Sequence, residues 1–178
     1  MIAKAGDVYC VYNKSLSKYT ACQVTKIDES GKEAQAVILS LDWASDELPK
    51  EDELSLMKPL YIDYMYWTGT FNLKKVDVNV PSHYVYVGNL TPLNNEDTCT
   101  YGGWSKDVEI YNQFKWEKIP KEQRDAFKEA NASDERVDFE GNKRRVNSHS
   151  ENDEWHDFDD ALNLRVFPCL SSLTVTKW

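Results

Sequence analysis

Nothing in this chain cradles a phosphate, grips a metal between paired cysteines or sharpens a serine. It has no glycine-rich loop, no C-x-x-C knuckle and no nucleophile elbow. The residues alone therefore name no reaction. Long apolar runs are missing too: nowhere do 18 apolar residues follow one another. The N-terminus, MIAKAGDVYCVY, has a single lysine and no apolar segment of signal-peptide length, so a soluble, cytosolic protein is expected. Positive charge is also short, with 21 Lys and Arg against 30 Asp and Glu, a net charge of −9 and a pI near 4.9. That balance argues against nucleic acid or an anionic membrane as partner, since both demand a basic surface. A cationic protein is the natural complement.

Aromatic side chains, by contrast, are plentiful: 6 Trp, 10 Tyr and 6 Phe in 178 residues. Disordered acidic chains avoid such residues, because buried aromatic area drives a core to form. The length suits one domain, and folding at this size buries roughly 70% of the unfolded surface, so neither disulfide nor metal is required. The four cysteines, Cys10, Cys22, Cys99 and Cys169, are well separated. Cys10 and Cys22 sit within apolar runs and read as small hydrophobes.

The first forty residues carry the clearest pattern. Asp7 to Tyr12, Tyr19 to Ile27 and Ala36 to Leu41 are rich in β-branched and aromatic types, with polar turns between them. Three such strands make an antiparallel meander. Beginning on Gly-Asp, it resembles the start of a small SH3-like barrel. Pro49 opens a short helix in ELPKEDELSLM, with Leu54 and Met57 on one face and acids on the other, and Pro59 ends it. Residues 60–71 (LYIDYMYWTGTF) alternate so that Tyr61, Asp63, Met65 and Trp67 share one face and Ile62, Tyr64 and Tyr66 the other. That pattern fits a central strand or a partly exposed binding strip. HYVYVG (83–88) reads as a further strand, and Ile119 to Ala132 as a helix with Ala126, Phe127 and Ala130 on its apolar face. Residues 133–150 read as a loop or hairpin turning at Gly141. Leu170, Leu173 and Val175 have the spacing of one leucine-rich turn, and LTVTKW closes the chain as a strand. The expectation is a single α+β domain over 1–178. Its β-rich, barrel-like part is residues 5–93, with an α+β appendage of residues 94–178 packed on it.

Several constellations compete for function. His149 and His156 stand among Glu151, Asp153, Glu154, Asp157 and Asp159, but their spacing matches neither a zinc-protease helix nor a calcium loop. No metal and no cofactor is expected. The same run is either a solvated acidic loop or a partner-facing patch, because Trp155 and Phe158 are large apolar groups embedded in charge. Asp46 and Glu47, after the third strand, add to the acidic candidates. In CTYGGWSKD two glycines between Tyr101 and Trp104 make a flexible loop that tends to leave its aromatics near solvent, a second partner-contact candidate. A Cys–His pair such as Cys22 with His83 is formally available but lacks a third, orienting residue.

GDVYCVYNKSLSKYTACQV, the Asp42–Trp43 pair, PLYIDYMYW and VPSHYVYVGNL together resemble the immunity proteins of bacterial polymorphic toxin systems, of the contact-dependent or type VI and Rhs kinds. The resemblance covers most of residues 6–93. It implies a cytosolic inhibitor that binds one cognate toxin, with no chemistry of its own. Many such toxins are nucleases, whose clefts are basic, and an acidic, aromatic-anchored surface complements them. Two other readings stand beside it: an adaptor or scaffold domain for a basic peptide, and a small hydrolase built on His83 or His156 with a carboxylate.

Overall fold

The computed structural model describes residues 1–64, 69–94, 100–105, 107–130, 135–137 and 143–145. The chain divides into two compact units, Met1–Phe114 and a second beginning at Lys115. The fold is mixed α+β, dominated by a six-stranded mixed sheet.

Three strands form the expected meander: β1 (Asp7–Asn13), β2 (Lys18–Asp28) and β3 (Gln35–Ser45). The tight connection after β1 is set by Asn13, whose Oδ1 accepts the Leu16 N–H at 3.1 Å, and by Ser17 in the left-handed region at φ 54°. Helix α1 (Glu51–Leu54) follows, and then the short strands β4 (Tyr61–Ile62) and β5 (Thr70–Phe71) pair with each other. Strand β6 (Leu73–Asp77) adds to β3, β7 (Val85–Asn89) adds to β1, and β8 (Thr100–Tyr101) runs parallel to β6. The sheet order is β7-β1-β2-β3-β6-β8. The sheet thus extends past residue 93 to take in β8.

Both faces of this sheet are covered, so the burial of its middle strands is continuous rather than alternating. On one face Tyr9, Cys22, Val24, Ile38 and Val76 pack with Tyr84 and Trp104. On the other, Val8, Cys10, Val37, Leu39 and Leu41 pack under Leu54 and Met57. A bulge at Val24/Lys26 explains why Val24 and Ile27, an odd number of residues apart, serve the same face. Side chains of this size each contribute about 1.5–3 kcal/mol when fully buried.

Residues 60–71 are a correction to the strand reading. Gly69 sits at φ 99°, where a side chain would be strained, so the chain bends and pairs Tyr61 with Phe71. Ile62 and Tyr64 are buried and Tyr61 is half-exposed. Met65, Tyr66 and Trp67 lie outside the described residues.

In the remainder, α2 (Asp107–Glu117) was not expected, α3 (Lys121–Ala130) was, and β9 (Glu135–Val137) pairs antiparallel with β10 (Lys143–Arg145), while Gly141, the expected turn, lies outside the described residues. On α3, Phe127 is buried against the Trp116 ring (centroids 5.7 Å apart), whereas Ala126 is exposed rather than part of an apolar face. Residues 146–178, with the leucine-spaced stretch and LTVTKW, lie outside the described residues. Among the described residues no helix is long and apolar enough to cross a membrane.

Candidate functional site

The end of β3 and the helix after it gather the acid of the first unit. Residues 1–114 hold sixteen acidic and ten basic side chains; the segment 42–53 alone has six acidic and one basic. Asp42, Asp46, Glu47, Glu51, Asp52 and Glu53 are all exposed. Local chemistry explains the arrangement. Leu54 and Met57 turn inward against the sheet, so the acids of α1 turn outward, as the sequence pattern anticipates. Glu53 reaches back to accept the Lys50 N–H at 2.8 Å, so the first turn of α1 is capped by its own carboxylate. Asp46 pairs with Lys18 at 3.3 Å on the surface, where such a bridge is worth at most about 1 kcal/mol and yields readily to a partner. Among the described residues the other five acids hold no ion pair. Leu56, 75% exposed, Leu48 and half-buried Trp43 put apolar surface among these charges.

The Tyr101–Trp104 loop separates its two aromatics. Tyr101 is 74% exposed, with the Lys75 ammonium 5.6 Å from its ring centroid. Trp104 is a correction: it is only 6% exposed and belongs to the core. Its indole N–H donates to the Asp77 carbonyl at 2.8 Å, its own carbonyl accepts the Tyr84 hydroxyl at 2.5 Å, and its ring meets Tyr9 edge-on. These partners lie twenty and more residues away in sequence, so two adjacent glycines do not set its exposure. Asp153, Glu154, Trp155, Asp157 and Asp159, with His149 and His156, lie outside the described residues.

Cys10 and Cys22 are both buried thiols, packed on opposite faces of the sheet. Burial, with Cys22 beside it, pushes the Cys10 thiol up to about 12. His83 is exposed with its ring against Tyr84. Among the described residues no group of three or more His, Cys, Asp or Glu is placed to hold a metal ion. One cavity, between Val11, Ala21, Cys22, Tyr84, Trp104 and Ile110, offers about 10 Å³, the room of a single water rather than of a substrate.

Two buried polar devices tie loops to the sheet and to α2 and were not foreseen. Gln23 donates to the Leu90 and Thr91 carbonyls at 3.2 and 3.1 Å and accepts the Leu93 N–H at 2.9 Å. Gln113 of α2 accepts the Asp63 and Tyr64 N–H groups at 2.8 and 3.1 Å and donates to the Asp63 carboxylate at 2.9 Å. A buried glutamine in an otherwise apolar pattern was the available signal.

No protein-family model matches the chain, and no curated protein or solved structure matches it.

Proposed function

We propose that the protein is an immunity protein: a non-catalytic inhibitor, needing no metal, that binds a basic cognate toxin domain through its acidic surface. The observation that carries the reading is the strip at 42–53, six exposed carboxylates against one lysine, with Leu48 exposed within it and Leu56 exposed just after it. Opposite fields raise association to roughly 10⁸ M⁻¹s⁻¹ at low salt, and embedded apolar groups then slow dissociation. In the same reading residues 5–93 are an SH3-like barrel; the two bulges in β2 support it, because bulges are how a sheet bends toward closure.

The test pairs the protein with the C-terminal domain of the toxin encoded beside it. Reversing Asp46, Glu47 and Asp52 to lysine should slow association about tenfold and flatten its salt dependence. A second variant reverses Asp153, Glu154 and Asp157, with Trp155→Ala expected to speed dissociation, at a cost of roughly 2 kcal/mol. Wild-type kinetics in both charge variants would end the proposal.

A further inference from the structure

The six-stranded sheet ends in two unlike edges. At one, β8 is two residues long and lies beside Lys74 and Lys75. Short length and neighbouring charge are how natural sheets keep an edge from pairing. The other edge, β7, is longer and bears no charged side chain of its own. It runs five residues, and the stretch 78–95 around it contains no Asp, Glu, Lys or Arg in a chain that is 29% charged. Val85 is 40% and Tyr86 47% exposed, and among the described residues no strand pairs with the outer side of β7.

The two faces beside this edge differ in chemistry. Val87 packs into the cluster under α1, and Leu54 of α1 lies so close to Gly88 that an added Cβ there would meet it at 2.6 Å. The exposed acids Glu51, Asp52 and Glu53 are thus carried on a helix that neighbours β7 on that face. On the opposite face Tyr86 is held edge-on against Tyr9, centroids 5.8 Å apart. A strand added outside β7 would place alternate side chains beside carboxylates and beside an aromatic ring.

We infer that β7 is a docking edge for an extended segment of the partner, whose lysines or arginines face α1 and whose intervening apolar residues flank Tyr86. Main-chain hydrogen bonds to β7 supply binding, and the alternation supplies selectivity. The inference rests on the toxin-binding reading for its natural occupant, while the edge chemistry itself is independent of it.

The probe is a labelled peptide of alternating lysine and valine, compared with the same peptide N-methylated at alternate amides, which keeps charge but cannot pair. The first should bind at least about tenfold tighter, as the loss of two backbone hydrogen bonds implies. It should also slow hydrogen exchange at Val85–Asn89 and not at Thr100–Tyr101. Glu51→Gln with Asp52→Asn, both exposed, should weaken the lysine peptide and reduce its salt dependence while preserving discrimination against N-methylation. Equal binding of the two peptides, or unchanged exchange in β7, overturns the inference. A toxin complex that needs Asp46 and Glu47 but leaves β7 exchange unchanged overturns it too, and leaves the functional proposal standing. Peptide-dependent protection of β7 without any toxin complex supports the edge and removes the immunity reading in favour of a peptide adaptor.

Discussion

Gln23→Leu isolates one buried device. The glutamine is fully buried on β2 and holds three backbone groups of the segment that follows β7. Each net hydrogen bond is worth about 1 kcal/mol, so three lost bonds cost about 3 kcal/mol. Two corrections reduce this. Thr91 and Leu93 are exposed, so water can reach part of what the amide leaves behind. Leucine is nearly the same size and gains roughly 1 kcal/mol of apolar burial. The expected loss is therefore about 2 kcal/mol. Urea unfolding followed by tryptophan fluorescence measures it, with an unchanged slope showing that the same surface is exposed. Hydrogen exchange at the Leu93 amide should speed up more than exchange in β2 or β3, because its acceptor is gone. A loss below about 0.5 kcal/mol, the usual size of a surface substitution, would refute the clamp.

Two further outcomes follow from the charged and sulfur groups. The Lys75 ammonium, 2.5 Å away, with the Ser30 hydroxyl and N–H, holds the Asp28 carboxyl below the usual carboxylate range. A depressed carboxylate stabilises the fold above its unfolded pKa of about 3.9 and loses that contribution as pH falls further. Asp28→Asn should be less stable than wild type near neutrality and converge with it in acid; parallel curves would contradict the pairing. The Cys10 thiol, pushed up to about 12 by burial, carries almost no thiolate at neutral pH. Iodoacetamide should label Cys10 in urea and spare it in the native protein, and rapid native labelling would show that the site is open.

What the sequence disclosed was whatever local pattern governs. The meander was legible because its strands are dense in β-branched and aromatic residues and its turns are polar, and β1 to β3 lie where that pattern put them. The inward Leu54 and Met57 were legible for the same reason. Long-range polar partners hid the rest. β6 contains Lys74 and Lys75, which look like a solvated segment until Glu109 and Asp28 pair with them. The buried side of α2 includes Ile110, Gln113 and Trp116, and the glutamine breaks the apolar period because its partner, Asp63, lies fifty residues earlier. Trp104 misled for a similar reason: adjacent glycines describe freedom, but the Asp77 carbonyl and the Tyr84 hydroxyl decide where it goes. Of the proposed site, the acids at 46 and 47 could be named from sequence. Their joining to α1, and α1's position against Gly88, could not.

That joining divides the work between two kinds of interaction. Charge acts beyond contact distance, over a Debye length of about 8 Å at physiological salt, so in the proposed function Asp46, Glu47 and the acids of α1 would shape the approach of a partner. Strand pairing acts only at contact, so in the same proposal β7 would govern how long a docked segment stays. Because α1 touches β7, a basic segment drawn in by the helix arrives beside an edge able to hold it. Substitutions in the acidic strip should therefore appear in the association rate and its salt slope, and changes at Tyr86 in the dissociation rate with little salt dependence. A single surface acting only by charge would move both rates with salt from either kind of substitution, and that pattern would argue against a separate role for the edge.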